Sequence, residues 1–450
     1  MFIRTDIGKT FGVELIQSSE MNAALTLWDN ITSGRPPWLD PDDDVRTYNM
    51  GKHISDYRAR LVCLDLGVAL SGSPRADYLQ TICNDLIKRL PDKVADAERL
   101  GGIAIKWNGS SWDFALPGEF GITKQDGNGN IVGAIFAEYI THGIDHYTRL
   151  EYHRFKDGLY LVTNKAFRNR AMQNGQYTLG AEIPLTEVEE WAEMQPEVRI
   201  EQLETPLFAF FRLPGSNTID QTSPLGMSAF ANAIPELEAL DMALSRKNGE
   251  VADSKHITFV GQAAIQYANA HSTKLPRFVQ GLGVGADDQK PITEHVPKML
   301  TDDRIKDINF DLSMAGVKCG FSEGVFVMDG QTGMITATQV ESDDRDTIQT
   351  IKADRDALRC AVEQAIKGAD ALTTLLGAAP LGEYEVTFNF GDITYNYEED
   401  KASWKNYASQ GWVPLWLHFT KFEGMSEEEA KKMVAEASAA EKEKGLFDQQ

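Results

Sequence analysis

The stretch Gly320–Asp356, GFSEGVFVMDGQTGMITATQVESDDRDTIQTIKADRD, decides how the chain is read. Gly320, Gly324, Gly330 and Gly333 punctuate its first half, with an Asp-Gly turn at Asp329–Gly330. A charged segment without proline follows. Val340, Ile351, Leu358, Val362, Ile366, Ala369, Leu372 and Leu376 recur at helical spacings, and Thr338 with Glu341 fits a capping box. The predicted helix covers about 38 residues, roughly 57 Å at 1.5 Å per residue, against a usual ~11–12 residues. A helix of that length serves as architecture. The loop before it is either the mouth of an active site or a mechanical part.

The 450 residues allow three domains or one large multi-part fold, at about 150 residues per domain. With 42% hydrophobic and 25% charged residues, the chain can bury a core and is not globally disordered. There are 44 Lys and Arg against 67 Asp and Glu, a formal charge of −23. Such a chain is ill suited to gripping nucleic acid, because that affinity comes from Lys and Arg displacing counterions. Cys63, Cys83, Cys319 and Cys360 form no C-x-x-C pair, which implies reduced, mostly buried thiols. No signal core and no apolar run of about 18 residues occurs, so a soluble protein made in the cytoplasm and not secreted is expected.

Helical patterns cover Met21–Ile31, Ile54–Leu70 and Ala76–Leu90, with a proline- and aspartate-rich turn between the first two. From Gly102 the period turns to strands, with Asp-Gly and Asn-Gly hairpin signals. A helix starts near Pro235, suited to a first turn. Its first half carries Leu237, Leu240 and Leu244, whereas its second half is polar all round and is expected either to project from a core or to pack against other copies. A short helix from Asp302 to Ala315, strands over Glu383–Tyr397 and two final helices complete the α+β reading. Ser426 and Glu429 form a second capping box.

Several patterns hint at chemistry. Asp126, Asn128 and Asn130 open like a calcium loop, but Ile131 and Ala137 stand where Gly and Glu are needed, so a hairpin turn is expected. His142, Asp145, His146, Glu151 and His153 cluster. On one strand His142 and His146 would lie roughly 13 Å apart, so ordinary sheet surface is expected there. Gly281, Gly283 and Gly285 lack the strand–helix context of a phosphate cradle. Trp404, Trp412 and Trp416, with Tyr407 and Phe419, read as the core of a small helical unit before a stacking platform. Asp42–Asp44 and Asp343–Asp344 read as solvated surface. No catalytic constellation emerges, and no metal or cofactor site is expected.

The opening stretch resembles a segment of tailed-bacteriophage portal proteins (head-to-tail connectors) that reads G-[LF]-S-x-G-x-F, a short turn, then T-A-T-x-[IV]. LWDNITSGRPPWL (Leu27–Leu39) is similar to that family's W-x-x-x-x-x-G-x-P-P-W opening. YTRLEYHRFKDGLYLVTNKAF (Tyr147–Phe167) resembles its Arg-Leu-Glu-x-His strand pair. PLGMSAFANAIPELEALDMALS (Pro224–Ser245) resembles its G-x-S-x-F…A-I…L-x-x-x-D…S helix. VTFNFGDITYNYEEDKASWKNYASQGWVP, followed by GMSEEEAKKMVAEA, resembles its closing portion. Gln339 stands where the family carries an acid, and Gly391 where Asp is common.

The resemblance implies a portal-type protomer in a homo-oligomeric ring of about twelve copies at one capsid vertex. It would be a virion channel for double-stranded DNA during packaging and ejection, without sequence reading, enzymatic activity or cofactor. Implied partners are the terminase large subunit, the major capsid and scaffolding proteins and the head-tail adaptor, with no membrane. On this reading residues 1–225 are the wing, 226–255 stem helix 1, 256–297 the clip and 298–318 stem helix 2. Residues 319–335 are the candidate tunnel loop, 336–378 the long core helix, 379–400 returning wing strands and 401–450 the crown. Tunnel-loop candidates are Gly320, Ser322, Gly324, Asp329, Gly330, Thr332 and Gly333; the alternative is that this loop belongs to the wing. Asp303, Asp307 and Asp311 recur every four residues and are the candidates for a channel-facing acidic stripe. Two rival readings are another structural ring of the virion, adaptor or tail, and a β-rich enzyme.

Overall fold

Two of the N-terminal helices of this α+β protein begin at serine caps, Ser18 and Ser73. The computed structural model describes residues 6–39, 45–169, 172–173, 176–177, 179–253, 257–260, 270–271, 292–295, 300–327, 345–391, 397–410, 413–423 and 425–436. After a short α1 (Asp6–Thr10), Ser18 Oγ accepts from the Met21 amide and starts α2 (Ser19–Thr32). Helix α3 (Met50–Val62) ends earlier than expected. Asp65 takes a left-handed turn, and Gly67–Ser71 forms strand β1 with Val68 and Leu70 buried in alternation. Helix α4 (Pro74–Leu100) runs past the expected stop at Leu90, through Pro91. An interior proline costs about 3 kcal/mol, but Leu90, Val94, Ala97 and Leu100 continue one buried face across it.

The strands follow as β2 (Gly102–Trp107), β3 (Trp112–Ala115), β4 (Phe120–Gln125), β5 (Ile131–His142), β6 (Asp145–Lys156) and β7 (Leu159–Asn169). The short β8 (Met172–Gln173), β9 (Gln176–Tyr177), β10 (Ala181–Ile183) and β11 (Glu197–Ile200) precede β12 (Phe208–Arg212). A six-stranded antiparallel sheet has the order β10-β7-β6-β5-β4, with β11 also on β7, and a second sheet has the order β12-β2-β3. The expected Asp-Gly turn at Asp157–Gly158 joins β6 to β7, both residues at positive φ. The carboxylate of Asp126 accepts from the amides of Asn128 and Asn130 and from Asn130 Nδ2. That turn satisfies its own acceptors.

Helix α5 (Ile234–Asp253) starts one residue before Pro235, as expected, within the segment 226–255 assigned to stem helix 1. Residues 226–233 are instead a buried loop and 3-10 turn, where a side chain on Gly226 would come within 2.3 Å of the Gly101 carbonyl. Strands β13 (Ile257–Val260) and β14 (Ile292–His295) pair before α6 (Thr301–Lys318). Apart from 270–271, the remainder of the expected clip lies outside the described residues, as do the capping pair Thr338 and Glu341, the glycines 281, 283 and 285, and both aspartate pairs.

The long helix, α7, is described over Arg345–Leu376, 32 residues or about 48 Å. It packs on α3, α4, β2 and β12. Gly368 lets it close on the backbone of Leu207, where a Cβ would meet the carbonyl at 3.0 Å. Three buried arginines fasten it. Arg58 grips Asp354 through Nε at 2.7 Å and Nη2 at 2.8 Å. Arg355 donates to the carbonyls of Leu61, Val62 and Gly391. Arg75 reaches the Asp370 carboxylate, the Asp370 and Ala379 carbonyls and Thr374 Oγ1. Strand β15 (Glu385–Asn389) then returns to pair antiparallel with β1.

The chain has two compact units, Met1–Gly391 and Asp392–Gln450. In the second, α8 (Tyr397–Ser409), α9 (Leu415–Phe422) and α10 (427–436) form a small helical unit. Trp404 meets Phe422 edge-on, and Lys421 and Lys431 cap the faces of Trp404 and Trp416. Ser426 and Glu429 make the reciprocal hydrogen bonds of a capping box. Trp412 lies outside the described residues.

Of the four thiols, all free, Cys83 and Cys319 are buried and Cys360 is exposed. Arg75→Leu removes the donor to the Asp370 carboxylate and the Ala379 carbonyl at the last turns of α7. Because the Asp370 side chain is one-third exposed, the loss is expected at roughly 2–3 kcal/mol in urea unfolding, below that of a fully buried pair.

Candidate functional site: a two-helix hairpin and its exit loop

Helices α5 and α6 form an antiparallel pair. Leu240, Leu244, Ile308 and Leu312 meet in a single seam, with Met50 and Phe326 packed against it. Ion pairs tie both ends: Arg304 to Glu250 at 3.3 Å, and Lys318 to Glu236. The base is anchored to the N-terminal segment. The buried Asp241 carboxylate accepts from Trp38 Nε1 at 3.0 Å and from the Tyr48 amide at 2.9 Å.

The acidic stripe is more mixed than the sequence implied. Asp303 and Asp307 are exposed, and Asp303 sits 3.6 Å from Lys306. Asp311 is half-buried; burial, with Asp307 and Glu236 nearby, raises its carboxyl above the ordinary range. Interleaved on that face are Phe310, 65% exposed, and the exposed Val317. Arg246 and Arg304 line a groove beside Asp307 and Asp311. Phe310 was the residue that spacing alone did not flag, although it lies seven residues after Asp303 and seven before Val317.

The exit loop is a fastened joint over the part described. Gly320 adopts φ +80, and its carbonyl accepts from Thr350 Oγ1 at 2.8 Å. A side chain at Gly320 would come within 2.6 Å of that hydroxyl. The Ser322 amide donates to Thr347 Oγ1, and the Thr347 amide to Ser322 Oγ. Phe321 stacks among Tyr57 and Phe326. Ser322 is 5% exposed, so it does not line a channel as expected; it ties the loop to α7. Gly324 is exposed, at φ +92 with open space around it. Asp329, Gly330, Thr332 and Gly333 lie outside the described residues.

A second cluster occupies a cleft of about 350 Å³ between the two large sheets, walled by Trp112, Phe114 and Phe136. The expectation of plain sheet surface holds for His142, Asp145 and His146 but fails for Glu151 and His153. A turn at Gly143–Ile144 places His142 on β5 and His146 on β6, where His142 meets Glu190 and His146 meets Thr141. Glu151 and His153, two apart on β6, share one face and point inwards, and His153 is 1% exposed. The Leu207 amide donates to Tyr160 Oη, Tyr160 donates to His153 Nδ1 at 2.8 Å, and His153 donates through Nε2 to Glu151. Glu151 also accepts from Lys106 Nζ at 2.8 Å and Arg149 Nη1 at 2.9 Å.

Burial works to raise the Glu151 carboxyl, but Lys106, His153 and Arg149 outweigh it and hold the group well below the usual range. Burial keeps His153 neutral against the pull of Glu151. Lys106 belongs to β2 and Glu151 to β6, so the network braces one sheet against the other. Among the described residues no three His, Cys, Asp or Glu side chains converge on a metal position.

No family model matches the chain, and no curated protein matches it significantly.

Glu151→Gln leaves Lys106 facing a neutral group in the interior while Arg149 keeps Glu138, with an expected loss of about 3 kcal/mol, the low end for a broken buried pair. The folded value of Glu151 lies below its unfolded value, so its contribution is present above about pH 4.5 and lost as acid titrates the folded carboxylate. Urea unfolding across that range is expected to be flatter for the variant than for the wild type.

Proposed function

We propose that the chain is a portal protomer, similar to the head-to-tail connectors of tailed bacteriophages. It would form the ring through which DNA enters and leaves a capsid. One observation carries this reading: residues of the sequence patterns that prompted it are among those making buried or partly buried connections within the scaffold. Trp38 of the P-P-W pattern donates to Asp241 of the L-x-x-x-D pattern. Arg149, Glu151 and His153 of the R-L-E-x-H pattern form the brace between sheets. Gly320 and Ser322 of the G-F-S pattern dock on Thr350 and Thr347. Motif residues that fix a scaffold suit a mechanical component.

In this reading α5 and α6 are the stem, the segment between them is the clip that meets the terminase and later the adaptor, and α7 is the core of the wing. The polar outer faces and exposed Phe310 and Val317 of the stem would be covered by neighbouring copies. Native mass spectrometry is expected to find a species near twelve times the 50.0 kDa chain. Phe310→Asp is expected to shift that distribution to smaller species while circular dichroism stays unchanged. A wild-type chain that remains monomeric at micromolar concentration counts against the reading.

A channel must let a polyanion slide, and phosphate contacts to Lys or Arg would act as brakes. The excess of carboxylates suits this, with Asp303 and Asp307 the exposed members of the stripe. Replacing Asp303, Asp307 and Asp311 together by Lys is expected to slow DNA packaging and to strengthen duplex binding by the isolated ring. Unchanged packaging would remove the stripe from the mechanism.

A further inference from the structure

The interior joint where α3, α4 and α7 meet the end of α6 holds two carboxylates and one guanidinium. Asp354 and Glu98 are each 0% exposed and Arg58 is 8% exposed. The guanidinium is committed: Nε and Nη2 go to Asp354, and Nη1 donates to the Cys319 carbonyl at 3.3 Å. Glu98 Oε2 lies 3.2 Å from Arg58 Nε, yet the hydrogen on that nitrogen points at Asp354. Both Glu98 oxygens are left without a donor. The Glu98 backbone cannot back away, since its carbonyl accepts from the Ala229 amide and Ser228 Oγ. An ionised Glu98 would be a second buried negative charge with neither its own cation nor a hydrogen bond.

We infer that Glu98 is carried as the neutral acid in the folded chain, and that its ionisation loosens the joint fastening the exit of α6 to α7. The proton leaves to solvent, and the charge it leaves behind competes with Asp354 for Arg58, whose Nη1 also holds the last turn of α6 through Cys319.

The surrounding groups fit. From α3, Arg58 and Cys63 face Glu98; from α7, Asp354 faces it, while Arg355 faces Cys63 and donates to backbone carbonyls. Burial first, and the Glu98 carboxylate next, push the Cys63 thiol up to about 12, and burial pushes Cys319 to about 12 as well, so neither titrates near neutrality. Burial raises the Glu98 carboxyl well above its ordinary 4.5, with Arg58 opposing and Asp354 adding. The folded value exceeds the unfolded one. The stabilisation is therefore complete below pH 4.5 and declines as pH rises through the folded value.

The test compares full-length wild type, Glu98→Gln and Asp354→Asn by urea unfolding and by amide hydrogen exchange of the last turn of α6, between about pH 4 and pH 9. Glutamine imitates the neutral acid. Comparing proteins at one pH cancels the intrinsic pH dependence of exchange. At the acidic end, wild type and Glu98→Gln are expected to match. Towards the alkaline end, the wild-type opening constant is expected to grow relative to the variant, at up to about tenfold per pH unit while one proton separates the states. In Asp354→Asn, Glu98 becomes the sole counter-charge for Arg58 and ionises, so that profile is expected to flatten too. This second arm stands if the glutamine variant fails to fold. A constant wild-type-to-variant ratio across the range, or a wild-type slope retained in Asp354→Asn, overturns the inference.

Discussion

The fastening of one long helix by buried arginines is the constraint on which the rest of the first unit depends. A helix of 32 residues presents more surface than one sheet can cover, so it must be gripped along its length. Arg58 grips it near its start, Arg355 ties the next position to the end of α3, and Arg75 holds its final turns. Each guanidinium reaches several acceptors in a planar fork, which lysine could not reproduce. Apolar packing fills the space between, but hydrocarbon contacts tolerate sliding whereas a forked ion pair fixes register. The helix can therefore serve as a datum against which the N-terminal helices, both sheets and the α6 exit are set.

How far the sequence revealed this depends on range. Local periodicity encoded elements well: the apolar spacing from Ile351 to Leu376 marked the long helix, and Asp157–Gly158 marked its hairpin. It failed where tertiary packing overrode a local signal. Pro91 reads as a stop, yet the buried face on either side carries α4 across it. Val68 and Leu70 extend a helical pattern, but their partners on β15 lie more than three hundred residues away and make them a strand. The joints were invisible because their partners are remote: Trp38 and Asp241 are 203 apart, Arg58 and Asp354 296 apart. No window of sequence pairs them. At the candidate site, the aspartate spacing was readable, whereas the burial of Ser322 and the exposure of Phe310 required coordinates.

The interior carries its charge in two unlike ways. Around Glu151, Lys106, Arg149 and His153 converge on one buried carboxylate, with Arg149 also held by the more exposed Glu138, and the set joins two sheets. Around Arg58, one cation serves two carboxylates. The first arrangement is weakened by acid and the second by base, because the folded value of Glu151 lies below its unfolded value and that of Glu98 above it.

The pair between Glu236 and Lys318 sets the beginning and the end of residues 234–318 side by side. A segment that departs and rejoins at one place resembles a branch grafted to a trunk. The closure entropy of such a branch grows only logarithmically, about 0.6 kcal/mol for each doubling of length. The trunk therefore hardly senses how long the branch is. A change in the length of the branch would cost the body that carries it little.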